Sequence, residues 1–593
     1  MKRRDFLKKG AIVAGLASSP NLIVPLVAGE SAQQKQFRNP DSQADSPIRF
    51  REISLQAGLT TVPQSTTERR YAVETMGGGG IALFDCDNDG RLDIAATNDT
   101  TIDRYLAGGD PMITLYRQDG TGGQIHFTDI TRQAGLTGRG WGMAIAVGDY
   151  DNDGLPDLYV TGFGHNVLYR NLGGSRYQEV TDRAGVKLSG FSAGAAWADY
   201  DRDGFIDLFV SRYVQSDLHR LPALPLNPDT VADMLQEPGG MQGDTNVLLR
   251  NRGNGTFEDV SERAGVSNPL KLHGMGVEWG DYDGDGWPDL FVANDAGRNY
   301  LYHNLGNGKF EDAGIVTGVA FGGNGETFGN MGCDFGDFDR DGCLDLVVTR
   351  FSNQPVSLYK NGPLFFTDVS ERAGIAQTTT IPVKWGVAFG DFDNDGWPDI
   401  LIANGSFSSL VDRFPDAPKF REPLQLFRNI GGRSFVDVAN QAGLNSGPLQ
   451  SRRGIAVGDI DNDGNLDFVV FNVDGPPSLF INETHNGNHR VLFRLVGTKS
   501  NRMAIGARVT VYAGGLTQID EVRGGGGYNS SSDTRLHFGL GKAAIMSKVE
   551  VRWPSGLHQV FQNVPADVIY EITEGQGIRK LMDLHAPSAS RTL

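Results

Sequence analysis

One nine-residue pattern, D-x-D-x-D-G-x-x-D, occurs seven times in this chain, beginning at Asp85, Asp149, Asp199, Asp281, Asp337, Asp391 and Asp459. Acids at positions 1, 3 and 5 of a tight loop point to one side. The Gly at position 6 permits the turn, the carbonyl of position 7 can join the acids, and the Asp at position 9 completes an oxygen shell. Only a hard cation wants such a shell, and Ca²⁺ takes roughly 6–8 oxygens at about 2.3–2.6 Å. The expected ligands are Asp85, Asp87, Asp89 and Asp93; Asp149, Asp151, Asp153 and Asp157; Asp199, Asp201, Asp203 and Asp207; Asp281, Asp283, Asp285 and Asp289; Asp337, Asp339, Asp341 and Asp345; Asp391, Asp393, Asp395 and Asp399; and Asp459, Asp461, Asp463 and Asp467. The sequence therefore predicts up to seven bound Ca²⁺. An ordinary turn needs only one or two such acids, whereas every copy keeps four.

The residues after each loop select the fold. An EF-hand closes with Glu at position 12 and continues as a helix. Here the closing acid comes three residues earlier and leads into Ile94-Ala95-Ala96-Thr97 or Leu290-Phe291-Val292-Ala293, which read as strands. A second motif alternates with the first: an aromatic, one residue, Asp or Glu, then Ala-Gly, starting at Phe50, Phe127, Tyr177, Phe257, Phe310, Phe366 and Phe435. Before most copies stands a hairpin signal such as Leu168-Tyr169-Arg170-Asn171 followed by Gly. Each unit then has four strands: a Gly/Ala-rich strand, the metal loop, an apolar strand, a third strand ending in Asn, and the aromatic fourth. Repeated four-strand units predict an all-β chain, a seven-bladed Ca²⁺-binding β-propeller. The fourth-strand motif precedes the first metal loop and is missing after the last, so residues 48–54 are expected to supply the outer strand of the final blade within a propeller spanning 48–485.

Composition bounds the rest. The formal charge is -18, with 28 of the 72 acidic residues in the seven loops, so seven Ca²⁺ would bring it to -4. No basic stripe exists for nucleic acid. Lys2-Arg3-Arg4-Asp5-Phe6-Leu7 and the apolar stretch behind it look like a twin-arginine-type signal over 1–29, lacking the usual Ser or Thr before the arginine pair, with a linker over 30–47. Export to the periplasm or beyond is expected, with no membrane span once the signal is removed. Of the three Cys, Cys333 and Cys343 flank the fifth loop and are either a pair or two buried thiols. A Pro- and Leu-rich insertion over 215–243 is expected to carry a short helix at 229–236. Residues 486–576 lose the loops and read as alternating strands of a β-sandwich, and 577–593 read as a tail.

These units resemble FG-GAP/VCBS repeats, the blades of integrin α-type propellers. The C-terminal part, with Ser500-Asn501-Arg502, Ile505-Gly506-Ala507, Gly524-Gly525-Gly526-Gly527-Tyr528, His537-Phe538-Gly539-Leu540-Gly541 and Arg552-Trp553-Pro554-Ser555-Gly556, resembles the ASPIC/UnbV domain. Together they resemble the cartilage acidic protein family in its exported bacterial form. The resemblance implies Ca²⁺ in the loops and an extracytoplasmic binding role, and it carries no catalytic residue set.

Function is expected on the face opposite the loops. Trp141, His273, Lys384, Trp385 and Arg453 stand before inner strands there, and a propeller funnels such residues toward its axis. The alternative is that they pack between blades or sit on a solvated rim. The leading expectation is a binding or adhesion module for an extracellular protein or glycan, with structural Ca²⁺. The alternative is an enzyme of lyase, isomerase or cyclase type using that opposite face. A plugged axis favours the first, and a deep pocket with converging acid and base groups the second.

Overall fold

The computed structural model describes residues 46–584 except 66–68, 70, 122, 217–220, 222–239 and 416. The expected signal peptide, nearly all of the linker, the helix at 229–236 and the last nine residues lie outside the described residues. Between residues 50 and 482 the described residues form seven antiparallel four-strand units, each ordered first to fourth from the inside out; the second and third are joined into one eight-stranded sheet by the pairing of Ser189, Gly190 and Phe191 with His165, Gly164 and Phe163. The first strands are Ile81–Phe84, Gly142–Gly148, Ser189–Ala198, His273–Gly280, Asn330–Gly336, Lys384–Gly390 and Arg452–Gly458. Each packs on the next, and the last returns to the first. They converge, so their side chains are small: a Cβ on Gly276 would lie 2.5 Å from the Met331 carbonyl of the neighbouring inner strand. The second strands are apolar because both faces are covered; Leu158, Tyr159 and Val160 are fully buried.

The fourth strand of the last sheet is Phe50–Glu52, from the opposite end of the chain. It pairs with Ser478–Asn482 in the register Phe50↔Asn482, Arg51↔Ile481 and Glu52↔Phe480. Phe50 packs edge-on against Phe468 and Phe392, with centroids 5.0 and 5.7 Å away. This seam covers an edge that an open sheet would leave available for pairing.

Residues 489–583 form two further four-stranded sheets. One has the order Leu536–Gly541, His489–Val496, Val568–Thr573, Ile578–Asp583; the other Leu516–Glu521, Arg508–Ala513, Ile545–Arg552, His558–Pro565. Val491, Phe493, Val511, Val549 and Trp553 fill the space between them. The expected tail begins too early, because Ile578–Asp583 is an edge strand antiparallel to Val568–Thr573. Its side chains are almost all exposed, so backbone hydrogen bonds hold it and no apolar alternation announces it. Nor does this module stand apart. Its core is continuous with Tyr150, Trp197 and Phe257 of the ring, and it lies on the face that carries the Asp loops.

Candidate metal centres and the axis of the ring

Six of the seven loops share one hydrogen-bond pattern. In the second, Asp149 accepts the N–H of Asp153 (3.0 Å) and Gly154 (2.8 Å), and Asp153 accepts that of Leu155 (3.0 Å). Asp157 accepts Tyr150 N–H on one oxygen (3.1 Å) and Asn171 N–H of the third strand on the other (2.7 Å). The pattern recurs around Asp85, Asp199, Asp337, Asp391 and Asp459. Position 4 is left-handed throughout, with φ of 59°, 58°, 58°, 75°, 62°, 56° and 56° at Asn88, Asn152, Arg202, Gly284, Arg340, Asn394 and Asn462. Asn and Gly tolerate that region best, which accounts for five of the seven choices.

The position-9 Asp thus spends an oxygen on each of two backbone N–H groups. The position-3 acid behaves differently. Oδ1 of Asp87, Asp151, Asp201, Asp339 and Asp393 is buried without a hydrogen-bond partner. A buried orphan oxygen is costly unless a cation satisfies it, and it faces its neighbours of the same loop: Asp85 with Asp87 and Asp89, Asp149 with Asp151 and Asp157, and Asp199 with Asp201 and Asp203 bring carboxylate oxygens within 4.8 Å of one another. Burial pushes Asp93, Asp149 and Asp199 up to about 7 and holds Asp157, Asp207 and Asp345 well above the ordinary carboxylate range. A donor set of hard oxygens that resists carrying its own charge fits a dication.

Two features of the third strands escaped the sequence reading. In four units its penultimate residue is a cation that grips acids 3 and 5 of its own loop: Arg170 to Asp151 and Asp153 (2.6 and 3.0 Å), Arg250 to Asp201 and Asp203 (2.5 and 2.8 Å), Arg428 to Asp393 and Asp395 (2.6 and 3.1 Å), and Lys360 to Asp339 and Asp341. The Asn that follows looked like a turn residue. Its side chain instead reaches the position-2 carbonyl of the preceding loop: Asn171 to Cys86, Asn251 to Tyr150, Asn304 to Tyr200, Asn361 to Tyr282, Asn429 to Phe338 and Asn482 to Phe392, all at 2.7–2.9 Å. Gln118 takes this role in the first sheet and reaches Ile460 of the last loop at 3.1 Å, which closes the cycle. The recurrence of Asn at one offset was the available signal.

The C-terminal module grips the loop face with arginines. Arg508 donates to the Asp281 carbonyl (2.6 Å), Arg535 to that of Asp459 (2.7 Å), and Arg552 pairs with the Asp281 carboxylate. Residues 524–533 then run into the axis. Gly524, Gly527, Asn529 and Ser531 offer carbonyls to the inner-strand N–H groups of Trp197, Cys333, Ile145 and Leu83 at 2.9–3.1 Å. Glycine allows this approach, since a Cβ on Gly524 would lie 2.5 Å from the Trp197 carbonyl. The ring axis is filled by the chain itself.

The expected ligand face is correspondingly closed. Trp141 is fully buried and donates to Asp99 (2.8 Å), and Trp385 is fully buried and donates to the Gly405 carbonyl (2.7 Å). Arg453 lies over the Trp385 ring at 4.1 Å, its Nη atoms spent on carbonyls of the 405–406 and 451–452 segments and on Ser451 Oγ. Lys384 is sealed among the carbonyls of Phe351, Gln354 and Thr379, and burial lowers its ammonium to about 7. His273 is half-buried and meets the Met241 carbonyl at 2.9 Å. These residues pack between blades, because the Trp and Arg side chains are long enough to reach carbonyls of adjacent strands. Cys333 and Cys343 are free thiols.

The cavity described here lies on the other side, between ring and C-terminal module. It measures about 150 Å³ and is lined by Glu278, Asp334, Asp520, Arg523 and Arg535 among others. Glu278 is fully buried with neither carboxylate oxygen hydrogen-bonded, and burial with Asp334 nearby keeps its carboxyl well above the usual range.

Comparison with known proteins now places the chain. Residues 85–160, 149–210, 239–292, 281–348 and 337–402 match the FG-GAP-like repeat, and 497–579 match the ASPIC and UnbV domain. The chain is an FG-GAP-repeat β-propeller protein with a C-terminal ASPIC/UnbV domain. It is homologous to cartilage acidic protein 1: 32% identical to the Homo sapiens protein and 30% to that of Mus musculus, each over 336 residues, 54% of this chain and 47% and 48% of theirs. The chain spans about half the length of the curated relatives it matches. Among solved structures it is similar to an Agrocybe aegerita lectin that recognises non-reducing terminal N-acetylglucosamine (14% identity, TM-score 0.36, 70% of this chain and 93% of that one). It is also similar to BBS1N from its complex with ARL6DN (11%, 0.39, 72% and 98%). Both superpositions are too loose to carry an inference about function. Among the described residues no helix is long and apolar enough to cross a membrane.

Proposed function

We propose that this chain is an exported, calcium-stabilised, seven-bladed propeller that acts as a binding or adhesion module toward an extracellular protein or glycan. Its signal is the twin-arginine-like segment, and its calcium is structural. The observation that carries the metal is the orphaned position-3 oxygen repeated in five loops. Each ion would sit where a third-strand Asn or Gln ties one blade to the loop before it, so metal and ring closure reinforce each other. The Arg and Lys grips on four loops offset part of the carboxylate repulsion, which lets the ring form before metal arrives. The filled axis and the internally bonded Trp141, Trp385, Lys384 and Arg453 favour recognition by outer surfaces over turnover at the axis.

Calcium bound at 100 times its dissociation constant stabilises the folded state by about 2.7 kcal/mol per site. Chelation is therefore expected to lower the melting temperature steeply, with readdition of Ca²⁺ restoring it. A melting curve indifferent to chelator refutes the calcium reading. A second reading, an enzyme, is favoured by one feature, the cavity lined by the buried Glu278 carboxylate, which faces Arg523 at 3.8 Å. Substituting Glu278 with Gln distinguishes the two: partner binding survives the change if the protein is a binder.

A further inference from the structure

The fourth Asp loop differs from the other six, and the difference points to a different ion. Its third strand carries His303 where five other units carry Arg or Lys, at Arg117, Arg170, Arg250, Lys360 and Arg428. The His303 Nδ1 lies 3.2 Å from Asp289 Oδ1 and 3.7 Å from Asp283 Oδ2, and ligand atoms of His303, Asp283 and Asp289 all fall within 4.8 Å of one another. The imidazole is 9% exposed and rests edge-on against the Tyr282 ring, with centroids 6.1 Å apart.

The backbone also holds the carboxylates less completely here: Asp281 and Asp289 each keep one N–H partner, from Gly286 and Asn304, and lose the other. In the other six loops the position-1 Asp accepts the position-5 N–H and the position-9 Asp accepts the position-2 N–H, as in Asp149 with Asp153 and Asp157 with Tyr150. In the fourth loop Asp285 N–H turns instead to Asp283 (3.2 Å). Asp281 Oδ1 and Asp289 Oδ2 are left buried with no hydrogen-bond partner, in residues only 4% and 0% exposed. The remaining Asp281 oxygen is held by Gly286 N–H (2.9 Å) and by Arg552 of the C-terminal module. One loop therefore carries two buried oxygens without a hydrogen bond, on Asp281 and Asp289, and an imidazole nitrogen clustered with Asp283 and Asp289.

We propose that this loop binds a first-row transition-metal dication, with His303 Nδ1 as a ligand beside Asp281, Asp283 and Asp289. Ca²⁺ takes oxygen ligands. Imidazole with carboxylates suits ions such as Mn²⁺ and Zn²⁺, and ligand softness rather than raw affinity sets the choice between such sites. Where Arg or Lys occupies the strand position, a fixed positive charge stands beside the acids and no nitrogen lone pair is offered. His303 is the one residue of that series able to give up its proton and coordinate. The proposal rests on the metal reading of the loops, and Arg552 makes this the site most directly tied to domain docking.

The test uses the full chain, stripped with chelator and dialysed against excess Ca²⁺ containing Mn²⁺ or Zn²⁺ as probe, followed by metal analysis per chain. The wild type is expected to retain one equivalent of the probe metal beside its Ca²⁺. His303→Arg and His303→Lys, which install residues that neighbouring units already carry, are expected to lose that equivalent and keep their Ca²⁺. Pulsed electron paramagnetic resonance of bound Mn²⁺ in the wild type should show coupling to an imidazole nitrogen. Retention of Ca²⁺ alone by the wild type, or an unchanged probe-metal content in both variants, overturns the assignment and leaves the calcium reading standing. Failure of any ion to bind overturns both.

Discussion

Gly526→Ala is the sharpest probe of the filled axis. A Cβ at this position would sit 2.0 Å from Glu278 Oε2 and 2.8 Å from its Cδ. A carbon needs more than 3 Å from such an oxygen, so one partner must move by over an ångström. Glu278 is fully buried on an inner strand, with Arg523 Nε 3.8 Å from its carboxylate, and the room it has to yield is the cavity it lines. The 524–531 segment is fixed, since its carbonyls are hydrogen-bonded to inner strands on both sides. Overpacking of this kind costs about 1–3 kcal/mol. Denaturant unfolding measures it, with limited proteolysis of the 483–488 connector as a readout of docking: the variant should be cut faster. Gly577→Ala is the matched control, because nothing lies within 4 Å of its Cβ position. If Gly526→Ala unfolds at the same denaturant concentration as this control and the connector is equally protected, the axis is not packed as described, and its argument against an axial active site fails.

Further outcomes follow from the ring seams and the C-terminal module. Asn251→Ala removes two buried bonds, to the Tyr150 and Ile206 carbonyls at 2.8 and 3.1 Å, and should cost about 2–4 kcal/mol in chemical denaturation at roughly 1–2 kcal/mol per orphaned group. Gln118→Ala breaks the corresponding link at the closing seam, to Ile460, and should cost about 1–3 kcal/mol although its two partners are 342 residues apart in sequence. Against the effect of burial, the Ser555 hydroxyl and the N–H groups of Thr498, Ser500 and Lys499 (2.7–2.8 Å) donate to Glu574 and hold its carboxyl down at about 2. A depressed carboxyl stabilises the fold above its ordinary value of 4.5 and loses that contribution as pH falls toward 2. The stability gap between wild type and Glu574→Gln should therefore be widest near neutral pH and close over that acid range.

The sequence by itself determined the repeat. Seven Asp loops and seven aromatic strands are local patterns, each dictated by what a turn, a strand or an oxygen shell demands of a few adjacent residues, and such demands are written where they act. Phe50–Glu52 as a fourth strand was legible for the same reason, from the offset between two local motifs. The tertiary structure decided what no short window contains. Asn251 and Gln118 look like turn residues until another sheet's carbonyl stands within reach. The edge strand Ile578–Asp583 buries too little to leave an apolar pattern. Trp141, Lys384, Trp385 and Arg453 have the composition of a binding face, and only packing shows the indole N–H groups, the Lys384 ammonium and the Arg453 Nη atoms bonded within the ring. The glycines at 524–527 carry the resemblance to the ASPIC/UnbV domain, and only the packing shows that their lack of side chains is what lets a second domain thread the axis. Burial and hydrogen-bond partnership belong to pairs of distant residues, and so does the chemistry of His303, whose imidazole becomes a candidate ligand only because folding sets it beside the carboxylates of Asp283 and Asp289.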